Sequence, residues 1–423
     1  MERQNIAIVG AGIAGLTAAH RLHPHHDVTV FEANDYVGGH TNTIDVSTAS
    51  GDWSVDTGFI VLNDRNYPNF TSFLGELGVA IQSTHMGFSV ASDHEDFEYA
   101  GTPRGLVAQP RNLTDPRYYR MIRELLRFNR EMRELLESGA DGPSLGEYLD
   151  RGGYGEWFVH RLIVPQASAV WSADPAGMWA FPVRFLAEFF RNHGMLGFKD
   201  RPQWQTIVGG SARYVDAVVK PFADRVHVSS PIEAVTRHHD HVAVTPRGAE
   251  SLRFDEVVLA CHADQARAML TNPTDLEDEL LAAFPFQANE AVLHTDSRLL
   301  PRRRACHQAW NFHLLEQPKP LTTITYGMNH LQRLAAPEDF LVTLNLTEKI
   351  DPAKIIRTIS YAHPVFTREG VAAQARHGEI SGADRIHYAG AYWRWGFHED
   401  GVVSALNALE QRGRHARAKA GVA

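Results

Sequence analysis

The chain has 423 residues, 44% hydrophobic and 22% charged, ordinary globular usage that excludes a disordered or fibrous protein. Forty-one basic residues against 50 acidic ones leave a formal charge of -9, which speaks against general nucleic-acid binding. No apolar run reaches the roughly 18 residues of a bilayer span. The two cysteines, Cys261 and Cys306, cannot build a disulfide framework or a Cys-rich metal site, so a reducing cytoplasm is expected.

The N-terminus lacks the apolar core of a secretory signal. Ile6 to Val9 reads as a buried strand and is followed by Gly10-Ala11-Gly12-Ile13-Ala14-Gly15 and a helix from Leu16 to Leu22. A second strand, Asp27 to Phe31, ends at Glu32. Gly10 permits a tight turn, Gly12 lets the backbone approach a pyrophosphate, and Gly15 lets the helix pack close to the sheet. The free N–H groups and positive dipole end of that helix suit phosphates, and Glu32 stands where a carboxylate can accept from ribose hydroxyls. Strand, GxGxxG, helix, strand and acid together predict a dinucleotide site.

Val37-Gly38-Gly39-His40-Thr41 follows, and then Asp56-Thr57-Gly58-Phe59-Ile60. With these blocks the chain resembles the flavin-containing amine oxidase superfamily, which includes monoamine and polyamine oxidases, protoporphyrinogen oxidase and phytoene desaturases. That family usually carries Arg where His40 stands; an imidazole can still donate a hydrogen bond. The resemblance continues through Trp204 to Ser211, through Val226 to Val228 with Ser230 to Val235, and through the strand Phe254 to Ala260. It ends in Ile386 to Ala391, Trp393 to Gly401 and a helix from Val402 to about Gln411.

The resemblance implies non-covalent FAD on a Rossmann-type α/β domain of the amine oxidase fold, interleaved with an α+β substrate domain. The FAD domain would comprise 1–75, 200–265 and 380–423, and the substrate domain 76–199 and 266–379. Cofactor contacts implied by the match are Gly10, Gly12, Ile13, Ala14, Gly15, Glu32, Ala33, Gly39, His40, Thr41, Gly58, Phe59, Ile232, Ala260, Gly390, Ala391, His398, Glu399 and Val402. The closing helix would point its N-terminus at the flavin, where its dipole stabilises a reduced, anionic ring. Phe397 matches one wall of the amine oxidases' aromatic cage, with Trp395 beside it. Core packing is the alternative for both.

In the substrate domain, residues 117–137 space Tyr118, Met121, Ile122, Leu125, Leu126, Met132, Leu135 and Leu136 helically beneath an Arg/Glu face. This is either a solvated helix laced with i,i+4 ion pairs, the simpler reading, or a basic amphipathic surface for a membrane or carrier protein. Ser144 and Glu147 form a capping box. Phe181 to Phe190 is buried core or the wall of an apolar channel. Asn289 and Glu290 before a strand Ala291 to His294, Tyr326, His363 and His398 are the candidate catalytic groups, since His or Glu beside a flavin can take a proton from an oxidised C–H. No HExxH, CxxC or His–carboxylate spacing points to a metal, and no GxSxG elbow is present.

A narrower resemblance joins Val164-Pro165 with Ala169 to Ser172, Trp204 to Ser211, Asn289 to Asp296, Tyr361 to Phe366 and Tyr388 to Gly401. Together they are similar to bacterial FAD-binding proteins associated with cyclopropane-fatty-acid-synthase-like enzymes. It implies a hydrophobic, fatty-acyl or lipid substrate, oxidised, desaturated or isomerised by hydride transfer. The alternatives are a flavin amine oxidase for a small amine and a non-catalytic flavoprotein subunit serving a lipid-modifying enzyme. A cytoplasmic location, peripheral to a membrane if it touches one, completes the expectation.

Overall fold

The computed structural model describes residues 2–197, 199 and 201–419. Met1, Phe198, Asp200 and 420–423, which fall within the expected domain segments, lie outside the described residues.

Five short strands make one wholly parallel sheet. Their spatial order is Val226–His227, Asp27–Phe31, Asn5–Val9, Glu256–Leu259 and Ile386–Tyr388. A parallel sheet is covered on both faces, so its strands are apolar throughout. Ile6 and Ile8 face the first helix (Ile13–Leu22) and the closing helix (His398–Lys419), while Ala7 and Val9 face a three-stranded antiparallel sheet spanning Ile232–Arg237, Val242–Pro246 and Leu252–Phe254. All four are buried. Truncating a fully buried Ile such as Ile8 to Ala would cost about 2–5 kcal/mol.

The expected strand Phe254 to Ala260 is two strands. Asp255 separates them: its carboxylate accepts the Asn5 N–H at 2.8 Å and its own N–H donates to Asn5 O at 2.8 Å. The closing helix begins at His398 rather than Val402, because Asp400 accepts the Phe397 N–H at 2.9 Å and starts it one turn earlier.

A seven-stranded mixed sheet forms the second layer system. Its order is Ile355–Pro364, Phe286–His294, Leu341–Leu344, Ile324–Gly327, Trp310–Leu314, Phe88–Ser92 and Glu98–Ala100, with only Trp310–Leu314 and Phe88–Ser92 parallel. Helices cover one face. Among them, Pro116–Ser138 buries Tyr118, Met121, Phe128, Met132 and Leu136 but leaves Leu126 outside, and Leu145–Arg151 starts at the Ser144–Glu147 capping box. Along Pro116–Ser138, Arg120–Glu124 and Arg127–Glu131 pair at i,i+4. Val183–Asn192 buries Phe185, Phe189 and Phe190. No described helix is long and apolar enough to cross a membrane.

Candidate cofactor and substrate site

The glycine turn is built for close approach. Gly10 has φ +102°, and a Cβ there would stand 2.7 Å from Ala260 O. A Cβ on Gly15 would stand 1.9 Å from Gly10 O, so no other residue lets the helix seat on the turn. Gly12 is different: a Cβ there would meet nothing within 4 Å. The helix behind it has no side-chain cap and no acid in its first turn. Open space beside an uncapped helix N-terminus, where Ile13 and Ala14 begin the helix, fits the diphosphate of a dinucleotide.

Glu32 closes the other end. Its carboxylate is buried, accepting Ala11 N–H at 2.8 Å and Asn34 N–H and Nδ2 at 2.9 Å each. Ala33 beside it is exposed, and Ala260 and Ile232, on the neighbouring strand ends, are half-buried.

The second glycine pair lies on the first. Gly39 has φ +60°, and its Cβ would be 3.2 Å from Gly12 Cα. His40 follows, its ring stacked on Tyr361 at 4.9 Å and tilted against His363 at 5.1 Å. Burial, then the His363 charge, holds its imidazole well below the usual range, and its Nε2 is buried without a partner among the described residues. A Cβ on Gly58 would strike His40 O at 2.2 Å.

Three remote segments then meet in a closed ring of hydrogen bonds. Thr41 Oγ1 lies 2.6 Å from Tyr214 Oη and 2.8 Å from His398 Nε2, and Tyr214 Oη lies 3.1 Å from His398 Nε2. The His398 ring stacks on Phe59 at 3.7 Å and abuts Phe70 edge-on at 5.4 Å. Burial lowers its pKa to about 3, so it is a neutral clamp rather than a proton acceptor. The Glu399 carboxylate turns away to cap the helix Pro68–Glu76, accepting Phe70 N–H at 2.8 Å and Asn69 Nδ2 at 2.6 Å. The Glu399 side chain, expected to contact the flavin, is thus engaged by that helix. Gly390 N–H donates to Ser404 Oγ at 3.0 Å, Ala391 opens the short turn after it, and Val402 is buried against the first helix's cluster.

Asp56 is a joint that sequence reasoning missed. Its Oδ1 accepts Thr43 Oγ1 at 2.6 Å, Ser211 Oγ at 2.7 Å and Ser211 N–H at 2.8 Å, binding the second motif to the Gly209-Gly210 turn. Burial raises its pKa to about 6.

Phe397 is half-buried. It stacks on Phe189 at 5.1 Å, and Trp395 lies 6.3 Å from Phe185. Trp171 joins them, donating from Nε1 to Trp395 O at 3.1 Å. On the seven-stranded sheet, Asn289 and Glu290 lie inside a strand, not before one, and successive side chains point to opposite faces. Asn289 faces Tyr361 and the cofactor loops; Glu290 is exposed on the far side, bonded to Thr347 Oγ1. Tyr326 and His363 share the Asn289 face, and burial pushes the Tyr326 phenol up to about 12.

A family model described as flavin containing amine oxidoreductase matches residues 13–302. The chain belongs to that family. Its fold is the amine oxidase fold and its cofactor is FAD. AofH of Mycobacterium tuberculosis, named as a flavin-containing monoamine oxidase, is 24% identical over 260 residues, 57% of this chain and 53% of that protein. An L-amino-acid oxidase of Notechis scutatus scutatus is 23% identical over 282 residues, 62% and 51% of the two chains. The chain thus spans about half the length of the curated relatives it matches. Among solved structures, cyclohexylamine oxidase from Brevibacterium oxydans superposes with TM-score 0.66 at 16% identity, covering 98% of this chain and 100% of that one. A CLA-producing fatty acid isomerase from P. acnes superposes with TM-score 0.67 at 14% identity, covering 96% and 98%.

Proposed function

We propose that the protein is an FAD-dependent oxidoreductase acting on an uncharged, apolar chain such as that of an unsaturated fatty acid. One observation carries the reading. Around Asn289 on its sheet face, the positions Gln287, Ala291, Ile324, Tyr326, Leu344 and His363 include no carboxylate and no permanent cation; the cation of that face, Arg357, is exposed at its far end opposite Leu293. The facing cluster is aromatic, with Trp171, Phe185, Phe189 and Phe397 in contact. An ammonium substrate entering there would lose its hydration without gaining a counter-ion, a cost of several kcal/mol. An alkyl chain gains from the same walls about 0.8 kcal/mol per buried CH₂.

Bound FAD would supply the acceptor for a hydride from a substrate carbon. Gly12 with the uncapped helix would hold its diphosphate, and Glu32 its ribose. The chain's own groups orient the substrate and exclude water. The buried histidines offer little general-base power near neutrality, His398 being lowered to about 3 and His193 to about 4, and the two carboxyls raised by burial, Asp56 and Asp400, are engaged in accepting hydrogen bonds from Ser211 and from Phe397 N–H. Double-bond isomerisation, in which the hydride returns to the same substrate, needs no base, and this favours it over net desaturation.

The test is anaerobic mixing of the FAD-loaded protein with an unsaturated fatty acid and, separately, with a monoamine. A change in the flavin band near ~450 nm with the fatty acid alone supports the reading. Reduction by the amine alone would assign the site to amine oxidation.

A further inference from the structure

The Asn289 face contains a chain of amides whose orientations are forced. Asn345 Oδ1 accepts the backbone N–H of Glu290 at 2.9 Å, and its Nδ2 donates to the backbone carbonyl of Thr322 at 2.8 Å. A backbone N–H can only donate and a carbonyl can only accept, so this amide cannot be turned over. The same Nδ2 donates to Asn289 Oδ1 at 2.8 Å. Asn289 must then present its own Nδ2 to Nδ1 of His363, 3.0 Å away, and that Nδ2 also donates to Gln287 O at 3.3 Å.

An imidazole nitrogen that faces an obligate donor must be the unprotonated one. The proton of His363 therefore sits on Nε2, while the hydrogen bond of its ring among the described residues is the one at Nδ1. Asn345 holds its place at φ +57°, a left-handed conformation that Asn tolerates better than most residues. It directly follows the strand Leu341–Leu344.

We infer that Asn345 and Asn289 are positioning residues that hold His363 as a neutral Nε2–H donor toward an oxygen acceptor of the bound ligand. The histidine is a hydrogen-bond donor, not the base of the reaction. The acceptor is a phosphate or carbonyl oxygen of FAD, or the carboxylate of the substrate. The first source does not depend on the apolar-substrate reading; the second rests on it.

The surroundings agree. The titratable groups facing His363 are His40 from the glycine loop, His262 from the turn after Glu256–Leu259, and Tyr361 from its own strand. None is a carboxylate. Burial, then the His262 charge, lowers His363 to about 4. Protonating Nδ1 would also set an N–H against the Asn289 amide.

Selective ¹⁵N-histidine labelling of the full chain tests this, with His363→Gln identifying the resonance. The expected result is the Nε2–H tautomer of His363 with no titration between about pH 5 and 8, in contrast to an ordinary histidine near 6.5. Asn289→Asp turns the facing donor into an acceptor, and His363 should become an imidazolium at pH 7. FAD added to apoprotein, and a fatty acid added to FAD-loaded protein, should differ in which moves the Nε2 signal, and that names the acceptor. An Nδ1–H tautomer or a midpoint near 6.5 in the wild type overturns the relay, and the wild-type titration decides this even if Asn289→Asp does not fold. A signal moved by neither ligand overturns the donor role. Movement by FAD with none by the fatty acid supports the donor role and names FAD as the acceptor; movement by the fatty acid with none by FAD supports it and names the substrate carboxylate.

Discussion

Thr41 and His398 are 357 positions apart in the chain and 2.8 Å apart in space. The first belongs to the loop that follows the second glycine pair, the second to the first turn of the closing helix. Their contact, shared with Tyr214, is where the two ends of the chain are fastened around the cofactor site. His398→Ala would remove a ring stacked on Phe59 and leave a hole beside two hydroxyls, costing about 2–4 kcal/mol. His398→Phe keeps the stacking and leaves Thr41 and Tyr214 bonded to each other, so its cost should be nearer ~1 kcal/mol. Denaturant unfolding of both variants measures the split.

The glycines make a sharper contrast. Gly12 has φ -76°, which any residue adopts, and free space at its Cβ position. Gly12→Ala should therefore fold with an unchanged Tm yet purify with little FAD, because the methyl fills the place of the diphosphate. Gly15→Ala should fail earlier, in folding, because its methyl meets Gly10 O. Absorbance of bound flavin and thermal melting of the two apoproteins separate these effects.

Acid sensitivity follows from the buried histidines. Burial lowers His193, His294, His313, His363 and His377 to about 4 each and His398 to about 3, from 6.5. Between about pH 4 and 6.5 the unfolded chain binds protons at these six sites that the folded chain does not, so stability falls as pH falls through that window. Asp56 and Asp400, raised by burial to about 6 and about 7, act in the opposite sense, losing stability as pH rises above 3.8. Six groups against two leave a Tm that drops from pH 6.5 to pH 4.5. A flat or rising Tm would contradict this.

An exposed face on and before the helix Pro116–Ser138 yields a surface prediction. Val107, Leu113, Tyr119 and Leu126 are 54%, 39%, 48% and 50% exposed, with Arg111 and Arg123 exposed among them. On the proposal that this face meets an anionic bilayer, the protein should co-sediment with vesicles containing phosphatidylglycerol and not with neutral ones. Leu126→Glu with Arg123→Glu should abolish this without changing the flavin spectrum. Equal binding of the variant would count against the face.

What the sequence disclosed was local. The glycine turn, Glu32 and the Ser144 capping box were legible because each is decided within a few residues. The Asn289 site was not. Starting its strand at Ala291 left Asn289 and Glu290 undifferentiated, whereas a strand from Phe286 sends them to opposite faces. Asn345 carried no signal at all, because its role exists only once Leu341–Leu344 pairs with Phe286–His294. Leu126 looked like core by helical spacing and is exposed, while Glu124, read as outer face, is buried and accepts Arg120 Nε at 2.9 Å. Asp56 stood within a quoted motif, but its partner Ser211 is 155 residues away.

Product analysis tests the central claim most directly. The FAD-loaded protein is incubated with a long-chain polyunsaturated fatty acid or with a monoamine, and the products are resolved by mass spectrometry. The account predicts a fatty acid of unchanged mass with a shifted double bond, and no ammonia from the amine. Aldehyde and ammonia from the amine, with the fatty acid returned intact, would contradict it.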